Sequence, residues 1–527
     1  MNISVFLIVV VLFIMLFLVF LFPFCKLLII FFDWEFLGLK FSLMFNSLSF
    51  SLILVVVTLS VMFYSSFYLA GEINFCYYYF MLLVFVMSMF FLIFSNSVFT
   101  ILLMWDLLGI SSFFLVLFYN NWDSCSGSMN TALTNRLGDY FLFVFFSFAF
   151  LSGCYFLSLS FFICLGSVFL LLASFTKSAQ FPFSSWLPKA MSAPTPVSSL
   201  VHSSTLVTAG MVLLFNFDSL VLSKEISFLV FFIGLFTMFF SSVAALVEED
   251  LKKVVALSTL SQMGFSMLSL GLGLVFVSLL HLLSHALFKS CLFMQVGYLI
   301  HCSFGQQDGR GYSNMGSFSS LIQLQILVTL FCLCGLFFSS GAVSKDYILM
   351  FFFSNFFFLF LGLVFFSSVF LTFFYSARLW KSLFMFFSST VMVYSDSILM
   401  NFLSLFLVVG SVLLIWWMNL NFLSVPSIFL LVDYFIPIFY LLLILMLFYF
   451  SFKIFLKEFF YKFIVDFLSL YLVTLSKNFK FSDVFLNNLN SKGCSLVSFS
   501  SFINSSFFFG LIFMLLIFLM FFIFLMF

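Results

Sequence analysis

A small set of ionisable side chains lies where the surrounding sequence is almost wholly apolar. Asp106 interrupts the run Ile101–Phe118, and Lys177 heads the stretch Lys177-Ser178-Ala179-Gln180. His202 follows Pro196 by six residues. His281, His285 and Lys289 are spaced by four, so on a helix they form one polar stripe. Lys345 and Asp346 close the series, and Arg136 and Asp139 stand near the start of another apolar run. Placing a charge at the centre of a bilayer costs at least about 2.5–3.5 kcal/mol, which makes each such residue a functional candidate.

The chemistry these types suit is proton carriage. Burial favours a neutral lysine and a nearby carboxylate favours a charged one, so moving a carboxylate loads or unloads a proton. A change of about 1.4 kcal/mol in that pairing moves the affinity by one pKa unit. Histidine titrates near neutrality and relays in either direction. Moving a proton against 100 mV costs about 2.3 kcal/mol, so modest shifts at several sites suffice to gate it. The competing reading is structural: the same groups satisfy one another and hold helices together. Gln180 and Ser178 read as helix–helix hydrogen-bonding residues, Trp105 and Trp186 as packing or interface residues, and Lys252, Lys253 and Arg310 as anchors at helix ends.

The elements that carry these residues must be membrane-spanning helices. The chain has 527 residues, 65% hydrophobic and 7% charged, far below the roughly one quarter charged that a soluble surface needs. The apolar runs are too long and uniform for a strand barrel. They predict about fifteen spanning helices: 3–25, 49–71, 76–96, 97–119, 132–153, 160–192, 195–216, 226–247, 252–273, 274–301, 318–350, 354–380, 397–418, 433–452 and 506–527. The segment Asp33–Asn46 carries charges and is expected at the surface, and Asn120–Asn130 reads as a polar break.

Two of these spans are too long for one straight crossing. In 160–192, Pro182 and Pro188 follow Lys177, and proline breaks a helix. In 318–350, Gly335 and Gly341 precede Lys345, without a proline. Broken helices at mid-membrane that carry a charge point to transporter ion sites. The two lysines are candidates for corresponding positions of an internal repeat, which residue identity alone does not demonstrate.

From 453 to 505 charges return. Glu458, Lys462 and Asp466 share one helix face, and Phe, Leu and Val lie opposite, which predicts an amphipathic helix along the membrane. The other reading is a spanning helix over 453–475 with snorkelling ends. The uncharged run to Phe527 is expected to return as an anchor helix. A net charge of +1 leaves no basic surface for nucleic acid. The ten cysteines are scattered through apolar runs without a Cys-x-x-Cys pair, so they read as packing residues and indicate no metal or cofactor in this chain. There is no cleavable signal and no Arg-rich transit segment at the N-terminus. The 97 phenylalanines suit a T-rich, mitochondrially encoded gene.

The stretch from Lys177-Ser-Ala-Gln-Phe-Pro-Phe-Ser-Ser-Trp-Leu-Pro188 to Ala193-Pro-Thr-Pro-Val-Ser-Ser-Leu-Val-His202 closely resembles the chain 5 family of NADH–ubiquinone oxidoreductase, the antiporter-like subunits of mitochondrial complex I. Asn135-Arg-Leu-Gly-Asp139, Asp250-Leu-Lys-Lys-Val-Val-Ala256, Ser261-Gln-Met-Gly264, His285-Ala-Leu-Phe-Lys289 and Ser344-Lys-Asp346 extend the likeness over roughly 100–380. The resemblance implies two inverted five-helix repeats, each with a broken helix bearing a key lysine, here Lys177 and Lys345. It implies that Asp106 partners Lys177 and that His202, His281, His285 and Lys289 lie on a central hydrophilic axis. It also implies partners: neighbouring antiporter-like chains along the lateral helix, and subunits that hold FMN, iron–sulfur clusters and ubiquinone.

The implied layout is N-terminal helices over 1–96, repeats over 97–216 and 224–380, C-terminal helices over 397–452, the lateral helix over 453–505 and the anchor over 506–527. The sequence departs from the family in Trp105-Asp106-Leu107, where Trp-Glu-Gly is usual, and in Phe337, where proline is usual. Its N-terminus also looks shorter by a helix. A subunit of a sodium/proton antiporter and a purely structural strut remain the competing functions.

Overall fold

The computed structural model describes residues 27–32, 39–151, 164–217, 223–312, 320–335, 340–341, 344–345, 348, 359–384 and 403–411. The expected spans 3–25, 433–452 and 506–527, the lateral helix over 453–505, and Phe337 and Asp346 lie outside the described residues.

Apolar runs of membrane length become helices because only internal hydrogen bonding satisfies a backbone that water cannot reach. The described helices longer than ten residues are α1 (Phe45–Tyr68), α2 (Phe75–Phe94), α3 (Val98–Val116), α4 (Trp122–Leu151), α5 (Cys164–Lys177), α6 (Thr195–Asn216), α7 (Lys224–Val247), α8 (Leu251–Gly271), α9 (Val275–Cys302), α10 (Ser320–Cys334) and α11 (Leu359–Phe384). Eight of the described helices are long and apolar enough to cross a membrane. Buried hydroxyls within them donate back to their own helix, as Thr58 does to Val55 O at 3.0 Å and Ser88 to Phe85 O at 2.7 Å. Ser97 caps α3 reciprocally with Thr100, accepting from its amide at 3.4 Å while the Ser97 amide donates to Thr100 Oγ1 at 3.3 Å.

Three local features differ from the expectation. A short antiparallel hairpin, β1 (Leu27–Phe32) with β2 (Leu39–Leu43), precedes α1, so the described chain is not wholly helical. The polar stretch Asn120–Asn130 is mostly the first turns of α4: Ser124, Ser126 and Ser128 donate to carbonyls three residues back. Within α6, Ser198–Thr205 is π-helical.

A close helix seam joins α7 and α8, where glycines let backbones meet. A Cβ at Gly234 would lie 2.6 Å from Leu268 N, at Gly264 2.6 Å from Thr237 Oγ1, and at Gly271 2.5 Å from Phe231 N. Beyond α9 the chain folds back on the start of α8: Leu251 N donates to Gln307 O and Gly309 N to Glu249 O, both at 3.0 Å. Arg310 ties this turn with ion pairs to Glu249 at 2.8 Å and Asp308 at 2.7 Å. Its hydrogen bonds hold the Asp308 carboxyl below the usual carboxylate range. Lys252, expected as a surface anchor, is instead buried, and its Nζ donates to Ala193 O at 3.3 Å.

Candidate functional site

The first broken span ends its helix at Lys177. Ala179 takes a left-handed φ of 55°, the Phe181–Pro182 peptide is cis, and a single helical turn resumes at Trp186–Lys189. The Lys177 side chain is fully buried. Its Nζ donates to Trp105 O at 2.7 Å and sits 3.7 Å from the centroid of the Trp105 ring. Trp105, read from sequence as packing, is thus the surface on which this ammonium rests. A cation over an indole face is stabilised by the ring quadrupole, by about 2 kcal/mol or more when desolvated.

The acidic groups approach from α3 and α4. Arg136 Nη1 bridges Asp106 at 3.4 Å and Asp139 at 3.2 Å. Neither carboxylate lies within ion-pair distance of Lys177. The Asp139 side chain is 10% exposed and that of Asp106 40%. Gly138 makes this possible, because any side chain there would overlap Thr176, the residue before Lys177. The break is anchored from two sides: Trp186 Nε1 donates to Thr176 O at 3.0 Å, and Thr237 of α7 donates to Gln180 Oε1 at 2.6 Å.

His202 lies in the π-helical part of α6, its ring 5.9 Å from that of Trp186. It is fully buried, and neither ring nitrogen has a hydrogen-bond partner among the described residues. An unpaired buried polar group costs about 1–3 kcal/mol, so an orphan imidazole in a packed helix needs a reason.

The second group gathers on α9. His281 Nδ1 pairs with Ser344 Oγ at 2.8 Å, and Lys289 donates to Ser258 Oγ of α8. Both nitrogens of His285, between them, lack a partner among the described residues. In the second broken span, α10 stops at Cys334 and Gly335 takes a φ of +76°. Lys345 returns from beyond the break to donate to Leu333 O at 2.6 Å and Cys334 O at 3.1 Å, the last carbonyls of α10. It is buried and within electrostatic reach of both His281 and Lys289.

The structure therefore brings Asp106, Arg136, Asp139 and Lys177 into one cluster, and His281, His285, Lys289 and Lys345 into another, with His202 beside the first. Among the described residues no group of three His, Cys, Asp or Glu side chains is arranged to hold a metal ion.

Interrupted apolar spans that each bring a buried lysine to the bundle interior define an antiporter-like helical membrane protein. The chain belongs to the NADH:quinone oxidoreductase/Mrp antiporter transmembrane family, whose model matches residues 95–372. It is 64% identical over 508 residues to NADH-ubiquinone oxidoreductase chain 5 of Ascaris suum, covering 96% of this chain and 93% of that one. To the protein of the same name from Caenorhabditis elegans it is 63% identical over 496 residues, covering 94% of each. Among solved structures it resembles a chain of the membrane-bound sulfane sulfur reductase, an archaeal respiratory membrane complex, with a TM-score of 0.67 and 20% identity over 79% of this chain and 94% of that one. A chain of the Mrp complex from a Dietzia species is similar with a TM-score of 0.65 and 23% identity, over 79% of this chain and 54% of the other. At these identities the structures speak for the fold alone.

Proposed function

We propose that this chain is a core membrane subunit of respiratory complex I in the mitochondrial inner membrane, moving protons while other subunits oxidise NADH and reduce ubiquinone. The observation that carries the reading is the pair of buried lysines, Lys177 and Lys345, each held by backbone carbonyls at an interrupted helix. A lysine that was merely structural would be expected to close an ion pair, and Lys177 closes none among the described residues; the carbonyl that holds it leaves its ammonium free to give up its proton.

In this reading Lys177 is the first carrier, gated by Asp139 and Asp106 with Arg136 positioning both. His202 links it to the row Lys289, His285 and His281, and Lys345 with Asp346 forms the second carrier. The full chain has about fifteen spans, with inverted repeats over 97–216 and 224–380 between the helices of 1–96 and 397–452. The segment 453–505 runs along neighbouring antiporter-like chains, and 506–527 anchors it. FMN, iron–sulfur clusters and ubiquinone belong to partner subunits.

Lys177→Ala tests the role: the complex should assemble and oxidise NADH while moving fewer protons per NADH, and an unchanged ratio would leave a strut. The family, which takes in Mrp antiporters, offers a second reading, a subunit of an ion antiporter. A native gel of gently solubilised membranes, stained for NADH dehydrogenase activity, separates the two. The chain should lie in the large active band; its presence only in a smaller inactive band supports the antiporter.

A further inference from the structure

At the end of the bundle where α8 begins and α9 stops, aromatic hydroxyls and a histidine line up from the surface inward. His301, in the last turn of α9, is exposed, and its ring packs at 5.2 Å from Phe67 and 5.5 Å from Tyr68. Tyr68 is half-buried, and its ring lies 5.6 Å from that of Tyr64, one turn deeper in α1 and wholly buried. The Tyr64 hydroxyl meets Thr195 Oγ1 at 3.0 Å. Exposure thus falls stepwise from His301 to Tyr68 to the Tyr64–Thr195 pair.

Two further observations make this more than a packing contact. Gly297 of α9 faces that pair: a Cβ there would overlap the Tyr64 hydroxyl and approach Thr195 Oγ1 to 2.7 Å. The helix thus reserves the space that the two hydroxyls occupy. Thr195 also opens α6, whose next two turns carry Ser198, Ser199 and His202. Each of these serines donates to a carbonyl three residues back, leaving its oxygen free to accept. At about 1.5 Å per residue, His202 lies roughly 10 Å further in. Its two unpartnered nitrogens, fully buried, supply polar partners that an internal water needs.

We infer that this corner, where α1, α6 and α9 meet, is a proton access path from one membrane face to His202. His301 takes a proton at the surface. The hydroxyls of Tyr68, Thr195 and Tyr64 each accept a proton on a lone pair and release their own on the far side, ending neutral. Water along Ser198 and Ser199 carries the proton on to His202. No electrons move, and each hydroxyl resets by rotating. The inference rests on the proton-translocating reading above.

The test uses the assembled complex in sealed vesicles, measuring proton uptake per NADH oxidised with a pH-sensitive dye. Thr195→Val removes the hydroxyl at constant shape and should lower the ratio several-fold, while Thr195→Ser should restore it. Tyr64→Phe keeps the ring and should act like Thr195→Val; it decides the matter if the valine variant does not assemble. Lys177→Ala is measured alongside. If it lowers the ratio while Thr195→Val and Tyr64→Phe leave it unchanged, the access path is overturned and the subunit reading stands. If none of the three changes it, both fall. A serine variant as impaired as the valine one assigns Thr195 a packing role and also overturns the path.

Discussion

The two broken spans solve the same problem differently. At the first, Lys177 is the last residue of its helix and reaches across to another one, resting on the carbonyl and ring of Trp105. At the second, Lys345 comes after the break and turns back to cap the helix before it. Their company differs too. Lys177 has carboxylates nearby, tethered by one arginine, whereas the described neighbours of Lys345 include the bases His281 and Lys289. A carboxylate stabilises a bound proton, and a like charge expels one. On the proposed reading, the first site would load a proton, and the second would pass it along when its neighbour has just received one.

The largest effect should come from the loading side. Lys177→Ala should slow proton uptake about tenfold or more, the effect of about 1.4 kcal/mol on a barrier, with assembly intact. Asp139→Asn should hurt uptake more than Asp106→Asn, because Asp139 is the more buried and so the less screened by solvent. The opposite order would restore Asp106 as the principal partner. Next come the hinges. Gly335→Ala puts a Cβ 2.9 Å from Lys345 Cδ at a φ of +76° and should cost about 1–3 kcal/mol in thermal unfolding. Ala179→Gly, at a φ of 55°, should be neutral or stabilising; equal losses at both would mean that the breaks share one geometry after all. Thr237→Val strands the Gln180 carbonyl oxygen and should cost about 1–3 kcal/mol, loosening only the first break. Arg136→Gln should be the mildest for stability, about 1 kcal/mol or less, because the guanidinium itself is 54% exposed and its pairing is partly screened. A larger loss would make the arginine structural rather than a tether.

The long apolar spans were legible almost to the residue: 274–301 is Val275–Cys302 and 226–247 is Lys224–Val247. Lipid leaves such runs no alternative to helix, so hydropathy decides the outcome. The misreadings fall where that constraint lapses. The start of α4 looked like a loop because its serines are polar, yet their hydroxyls bond within their own helix. The β1–β2 hairpin was missed since β1 is a short apolar run without alternation and β2 alternates over only five residues, Leu39 to Leu43. The π-helical register around His202 leaves no compositional mark. At the site, spacing found the lysines and the α9 stripe, but not that Trp105 cradles Lys177, because a partner 72 positions away is a matter of packing.

The glycine seam between α7 and α8 has a mechanical consequence. Three close backbone approaches along one interface leave neither helix room to slide past the other. Thr237, on that seam, grips the first break, and Ser258 of α8 holds Lys289. The pair therefore works as a chassis to which both buried lysine clusters are bolted. On the proposed reading, what rearranges during turnover is light parts working against it, side chains above all.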